Sequence, residues 1–376
     1  MKRLLLAGGG QTHALVLREI ARRRITGVEI VAVSPSSHLR YSGMLPGWIA
    51  GHYALDELTV DFEPLVRAAG ARFVAAPITK LDLDHRVAFT DRDEPFPFDV
   101  LSIATGAVIE VDAVTGAREH ALPLRPFDGF VAGWQRIMQR AEAARQRFRL
   151  TVIGGGAGGA EIALAATHRM RTTRSPAHVR LMTGGVPILP GHGARARALM
   201  TTALLKNGVE VIDAIASRVE PSAVITEAGQ TLDTDATLMV TGASAAAWLR
   251  DTGLALDTAG FVAVNSHLQS TSHPFVFAAG DVATLIETPR PKSGVYAVRA
   301  AAPLASNLIA ALAAQPLSAF RPQRRALYLL TTGPRHAIAS WGRWALAGRL
   351  LWHWKDRIDR DYIAKLSPAF TLKASH

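Results

Sequence analysis

Two glycine-rich turns carry the first chemical signal in this chain. One is Leu4-Leu5-Leu6-Ala7-Gly8-Gly9-Gly10-Gln11, and the other is Leu150-Thr151-Val152-Ile153-Gly154-Gly155-Gly156-Ala157-Gly158-Gly159-Ala160-Glu161. Each reads as a short apolar strand running into glycines and then into a helical pattern. In that context backbone N–H groups and a helix N-terminus hold a pyrophosphate. Gly154, Gly156 and Gly159 complete a G-x-G-x-x-G pattern, whereas His13 stands where the first turn would have its third glycine. Two such turns suggest two dinucleotides, one a flavin and the other a nicotinamide.

Composition narrows the chemistry further. The 376 residues are 49% hydrophobic and 19% charged, enough for two domains with full cores. There is no cysteine, which excludes disulfide redox chemistry, a thiolate nucleophile and thiolate-ligated metals. No metal site is expected. The net charge of +11 could serve an anionic membrane surface, nucleic acid or anionic cofactors, or simply reflect an Arg- and Ala-rich composition. Met1-Lys2-Arg3 imitates the start of a signal peptide, but the apolar run stops at Gly8, short of the roughly 7–15 residues such a segment needs. The stretch 297–314 contains Arg299, Pro303 and Asn307, so it does not read as a spanning helix. A cytoplasmic location is expected, either free or on a membrane.

The elements that must position the turns alternate between strand and helix. A helix over 12–23 leads to a strand over 28–33 and an irregular segment over 34–47. A helix over 62–69, a strand over 72–75, a meander through 78–89 and a strand over 100–105 follow. A helix over 128–148, with Trp134, Ile137, Ala141, Ala144 and Phe148 near one face, leads to the second turn. Beyond it the pattern predicts strands over 178–182, 210–213 and 237–241 and a helix over 194–207. The expected fold is α/β, with two Rossmann-like dinucleotide-binding domains. One such domain opens the chain (1–115), a connecting segment and helix follow (116–149), and the second domain spans 150–245. A small α+β segment (321–376) completes the chain.

Three further motifs carry a family resemblance. Ala104-Thr105-Gly106 and Thr241-Gly242 close two apolar strands, and Val276-Phe277-Ala278-Ala279-Gly280-Asp281 follows. Their order resembles that of the two-dinucleotide-domain FAD/NAD(P) flavoproteins, the pyridine nucleotide-disulfide oxidoreductase superfamily, which implies a FAD domain in two parts (1–115 and 246–320) interrupted by the connecting segment (116–149) and an NAD(P) domain (150–245). Within it the chain is similar to type II NADH dehydrogenases and to the flavoprotein module fused to selenophosphate synthetase in some bacteria. The segments 41–47 and 291–299 look most like that fused module. The resemblance implies a FAD-dependent enzyme, with NADH or NADPH as co-substrate, that moves a hydride from nicotinamide to flavin N5 and then electrons to an acceptor, a quinone first of all.

The same resemblance implies roles for particular residues. Gly8 and Gly10 would turn beneath the FAD pyrophosphate, with Gln11, Ser34, Arg40, Ala104, Thr105 and Gly106 around them. Gly280 and Asp281 would contact the ribityl or phosphate end, Asp281 serving also as the cap of a helical turn. A helix opening at Gly294, Val295 and Tyr296 would face the flavin pyrimidine edge, with Lys292 adding positive charge unless it is a solvated loop residue. Gly154, Gly156, Gly159, Thr183 and Gly242 would hold the nicotinamide nucleotide. Glu161 would lie near its reactive end, or merely favour the helix dipole. Ser34 and Thr183 stand where an acid often binds the ribose. Weak discrimination between NADH and NADPH, leaning to NADH, is therefore expected.

The C-terminal segment has its own profile. Trp341, Trp344, Trp352 and Trp354 are four of the seven tryptophans, and Leu350, Leu351, Trp354, Ile358, Tyr362 and Leu366 recur at near-helical spacing. Lys355, Arg357, Asp359 and Arg360 fall largely elsewhere around that helix. An interfacial helix on anionic lipid and a terminal helix packed on the protein both fit. No nucleic-acid partner is expected, and the oligomeric state is open. Two alternatives stand beside quinone reduction: a different, selenium-linked acceptor, and a FAD-bound interaction protein whose nucleotide site is a relic.

Overall fold

The computed structural model describes residues 1–173 and 177–366. The first strand, β1 (Lys2–Ala7), enters α1 (Gln11–Arg23) through the first glycine turn. Then come β2 (Val28–Ser34), β3 (Arg72–Ala75) and β4 (Val100–Ile103). Next, β5 (Ala121–Pro123) and α2 (Phe127–Ala143) lead to β6 (Arg149–Ile153), which the second glycine turn joins to α3 (Ala157–Met170). The second unit continues through β7 (His178–Met182), α4 (Ala194–Lys206), β8 (Glu210–Ile212) and β9 (Ala236–Met239). The chain returns with β10 (Val276–Ala278) and α5 (Gly294–Leu312). A third module comprises β11 (Leu327–Thr331), β12 (Ala337–Trp341), β13 (Trp344–Gly348) and α6 (Arg349–Leu366).

Two five-stranded parallel sheets follow one plan. The first has the order β10-β4-β1-β2-β3 and the second β5-β9-β6-β7-β8. Each central strand therefore ends between two parallel neighbours, and its glycine turn lies at the switch point where ligands bind in open α/β sheets. Four residues in a row are buried in both β1 and β6, because each sheet is covered on both faces: helices pack on one, and on the other lie Ile78, Leu81, Ala88 and Phe96 of one antiparallel meander or Val219, Val224 and Leu232 of another. Because β10 comes from beyond the second sheet in sequence, the first unit is assembled from segments on both sides of the second.

The helix expected to reach residue 148 stops at Ala143. Ala144 turns to an extended conformation (φ −65°, ψ 131°), yet Phe148 still enters the cluster of Trp134, Ile137 and Ala141 from the lead into β6. The apolar spacing thus continued past the helix because the following segment buries the same face. No helical turn starts after Asp281: the chain instead forms a turn and the short strand Ala283–Leu285. Among the described residues α5 is long and apolar enough to cross a membrane. Its Ala301, Leu304 and Leu308, however, are buried in one cluster with Leu17 and Ile20 of α1.

The C-terminal helix corrects the expected partition of faces. Lys355 and Asp359 are buried beside Trp352, whereas Leu350, Trp354 and Ile358 are 83%, 47% and 41% exposed. The charged pair satisfies itself inside, so the helix packs on the protein and still presents an apolar stripe outward.

Candidate dinucleotide sites and the C-terminal contact

In the first unit, β1 delivers Gly8 at φ +105°, a conformation that favours glycine. Its N–H donates to Val33 O at 2.8 Å. A Cβ at Gly8 would lie 2.7 Å from the Ala104 carbonyl and 2.8 Å from Thr105 Cα, and one at Gly10 would lie 3.1 Å from Ala104 O. The turn therefore rests directly on Ala104-Thr105-Gly106. Ser34 is buried against Gly9, and its hydroxyl donates to Ser36 O at 3.1 Å.

The openings of α1 and α5 converge at this turn. Thr12 Oγ1 donates to Ala297 O at 3.3 Å, and a Cβ on Gly280 would lie 3.1 Å from Thr12 Oγ1. Gln11 Nε2 donates to Ser42 Oγ at 3.2 Å, while Gln11 Oε1 is buried without a partner and 3.5 Å from a Cβ placed on Gly294. Gly294, Val295 and Tyr296 form the first turn of α5. Two helix N-termini with their positive ends and an orphaned polar atom suit a long phosphorylated ligand such as FAD.

Asp281 accepts from Arg125 at 3.0 Å, and Arg125 also donates to Ala107 O at 3.2 Å. Lys292 is not a solvated loop charge. Its ammonium donates to Ala283 O (2.6 Å) and Thr284 Oγ1 (2.8 Å) and lies 3.8 Å from the centre of the Phe261 ring. Burial pushes it down to about 8, against the pull of Asp257 and Asp281. Arg40 donates to Asp128 at 2.6 Å and Thr59 at 3.0 Å.

His13, at the place of the third glycine, is completely buried at the start of α1. Burial pushes its imidazole down to about 4, so the ring is neutral at pH 7. Its Nδ1–H donates to Gly8 O at 2.6 Å, which leaves Nε2 to accept from the Ser102 hydroxyl at 2.9 Å. The ring thus joins the turn to β4.

The second unit builds its turn by closer contacts. Gly154 has φ +130°, and its missing Cβ makes room for the Val240 carbonyl, as that of Gly159 does for the Gly154 carbonyl. A Cβ on Gly155 would lie 3.0 Å from Thr183 Cβ. At Gly156 and Gly242 a Cβ would meet nothing within 4 Å, so there the backbone borders open space. Thr241 Oγ1 is buried beside the turn without a partner. Close packing below, open backbone above and an orphaned hydroxyl fit a second dinucleotide. Thr183 is buried, and its hydroxyl donates to Asp213 Oδ1 at 2.7 Å.

Glu161, one turn into α3, leans away from that opening toward the C-terminal module. Its Oε1 accepts from the Thr331 N–H at 2.7 Å and the Thr331 hydroxyl at 3.0 Å. Burial pushes this carboxyl above the usual range, while Lys355 and the Thr331 bonds pull the other way. Lys355 donates to Gly43 O at 2.6 Å and pairs with Asp359, which also accepts from Tyr41 Oη at 3.0 Å. The 41–47 segment, expected to be irregular, is instead a 3-10 turn (Ser42–Met44) running into the short helix Leu45–Ile49, where local hydrogen bonding and burial of Met44, Leu45 and Ile49 order the turn residues, and it is fastened beneath α6.

Sequence reasoning singled out neither Arg125, Asp213 and Thr331 nor the buried pairing of Lys355 and Asp359. Only the i,i+4 spacing of that pair gave a signal, and it reads equally as a solvated face.

Comparison with known proteins agrees with this geometry. Residues 7–301 match the family model described as pyridine nucleotide-disulphide oxidoreductase. The demethylphylloquinone reductase NdbB of Synechocystis is 24% identical over 282 residues, covering 73% of this chain and 69% of that protein. An NADH dehydrogenase-like protein of Mycobacterium tuberculosis is 28% identical over 223 residues, 57% of this chain and 56% of the relative. Among solved structures, NDH2 from Plasmodium falciparum in complex with NADH superposes with a TM-score of 0.80 at 12% identity, covering 97% of this chain and 98% of that one. The sulfide:quinone oxidoreductase of Aquifex aeolicus gives 0.81 at 18%, covering 97% and 91%. The chain belongs to the pyridine nucleotide-disulphide oxidoreductase family, as an NAD(P)H-dependent flavoprotein oxidoreductase with no cysteine from which to build a redox disulfide.

Proposed function

We propose that this chain binds FAD at the first turn and a nicotinamide nucleotide at the second, and reduces a quinone at the cytoplasmic face of a membrane. FAD, when bound, would supply hydride acceptance from the nicotinamide and electron release to the quinone. The protein's part is position and field. Gly8, Gly10 and the α1 opening would hold the FAD phosphates, and the α5 opening with Lys292 would favour negative charge developing nearby. Asp281, steadied by Arg125, would bond the ribityl or phosphate end. Gly156 and the α3 amides would hold the nicotinamide nucleotide. Glu161, with its carboxyl pushed up by burial, keeps a proton at higher pH than an ordinary carboxylate does.

One observation carries the choice of a lipid-borne acceptor. Trp341, Trp344 and Leu346 on the β12–β13 hairpin are 49%, 61% and 63% exposed, alongside the exposed Leu350, Trp354 and Ile358 of α6. Arg325 and Arg343 stand over Trp341 and Trp344, each 5.9 Å from a ring centre. Exposed indoles beside cations suit the headgroup boundary of an anionic bilayer. The relatives named above include a protein whose name makes it a demethylphylloquinone reductase.

The test replaces Leu350, Trp354 and Ile358 together by glutamine, which spares the inner face of α6. The intact protein should sediment with anionic vesicles at low salt and release at high salt, and the variant should stay in solution. The variant should also slow reduction of lipophilic quinones more than of water-soluble ones, while anaerobic bleaching of the flavin by NADH is unchanged. An intact protein that ignores anionic vesicles at low salt refutes the membrane reading.

A further inference from the structure

The geometry points to Asp213 as the residue that selects NADH over NADPH, an inference that rests on the proposed nucleotide role of the second glycine turn. The parallel register of β7 and β8 pairs Met182 with Ile212. The next residues, Thr183 and Asp213, therefore leave the sheet side by side at the ligand-binding end of its strands. The pairing continues one step further, with Thr183 N donating to Ile212 O at 3.0 Å and Gly184 N to Ala214 O at 3.2 Å.

Thr183 is the position from which an acidic side chain would reach the adenosine ribose. It touches the glycine turn at Gly155, but it is buried and gives its hydroxyl to Asp213 Oδ1. That bond fixes an exposed carboxylate at the rim, with Oδ2 left to accept from a ribose hydroxyl. The acid absent from the end of β7 is thus supplied from the end of β8, and Thr183 acts as its positioning residue. Gly184 and Gly185 follow at φ +74° and +75°, and a Cβ on Gly184 would meet nothing within 4 Å, which leaves room above the carboxylate.

The surroundings reject a 2′-phosphate. No Lys or Arg occurs from Thr183 to Gly193, the segment that leaves β7 and passes over the turn, where Leu189 N donates to Gly155 O at 2.9 Å. A phosphate there would face Asp213 with no Lys or Arg in that segment to neutralise it, an unfavourable like-charge contact. The weak discrimination expected from Met182-Thr183-Gly184 alone becomes a preference of about tenfold or more for NADH, the scale of one well-placed hydrogen bond plus that repulsion.

The experiment measures calorimetric binding of ADP-ribose and 2′-phospho-ADP-ribose to the FAD-loaded protein, together with anaerobic flavin reduction by NADH and NADPH. Intact protein should bind ADP-ribose about tenfold or more tightly than its phosphorylated form. Asp213→Ala should weaken ADP-ribose by about tenfold, leave the phosphorylated form unchanged or tighter, and raise the KM for NADH at unchanged limiting rate. Thr183→Val should move the same quantities in the same direction by less. A ratio of the two affinities in Asp213→Ala within about twofold of the intact protein's overturns the assignment. If the intact flavin is reduced by dithionite but by neither nicotinamide, and neither ADP-ribose binds, the proposed function fails and takes this inference with it.

Discussion

Replacing Gly156 with valine isolates the second nucleotide site from the fold. Gly156 caps α3 in an extended conformation (φ −70°, ψ 179°) that a β-branched residue adopts without strain, and its Cβ position is empty to 4 Å. The structural cost is therefore that of a poor N-cap, about 1 kcal/mol, or roughly 2–4 °C in melting temperature for a large domain. The branched carbons would occupy the space through which a pyrophosphate approaches the α3 amides. Each charge-assisted hydrogen bond lost there is worth about 1.5–3 kcal/mol, so NADH affinity should fall roughly tenfold to 150-fold per bond. The assay is anaerobic bleaching of the flavin band as NADH is varied, with dithionite reduction and FAD content as controls. Unchanged bleaching by NADH would refute the assignment of the second turn. The same substitution at Gly159 would be uninformative, because its Cβ would collide with the Gly154 carbonyl and damage the turn itself.

Two further predictions concern buried charge. The folded state refuses a proton on His13 down to about pH 4, whereas the unfolded chain takes it near the ordinary 6.5. Stability from this group is thus complete above about pH 6.5 and lost as pH falls to about 4, roughly 3 kcal/mol in all. Urea unfolding across that range should be one proton less steep in pH for His13→Gln, and equal slopes would show that the ring titrates alike in both states. Asp359→Ala should cost about 3–5 kcal/mol because it strands the Lys355 ammonium in the interior, while Lys355→Met with Asp359→Leu should regain most of that. Thermal melts of the single and double variants check this, and a single variant as stable as the parent would show that water reaches Lys355.

The glycine turns, the strands that feed them and the order of motifs were legible because each depends on local chemistry: apolar runs, glycine at positive φ, a helix start. Relations between distant strands were not. Nothing local marks Asp213 as the partner of Thr183, since the pairing comes from the parallel register of two strands 30 residues apart in sequence. Glu161 was singled out by its distance past Gly159, but its Thr331 partner, 170 residues on, was invisible. On α6 the apolar row picked out by its spacing is divided in the structure: Leu350, Trp354 and Ile358 are exposed and Leu366 is buried. Lys355 and Asp359 are buried there as a pair alongside Trp352 and Leu366, and a paired charge looks the same in sequence as a solvated one.

The third module also bears on how the molecule can move. Its sheet lies against the nucleotide unit so closely that a Cβ on Gly333 would lie 2.6 Å from Leu164 O, and one on Gly193 2.7 Å from Gly342 O. Its helix grips the flavin unit through Lys355 to Gly43 O and through Arg360, whose guanidinium meets Glu57 at 2.8 Å. The halves also meet directly, Met44, Leu45 and Ile49 sharing one buried cluster with Ile162 and Leu164 of α3, so that one half is not free to swing against the other. The two halves should therefore melt together. Calorimetry should accordingly record one heat-absorption peak for the whole chain, and two well-separated peaks would refute this coupling.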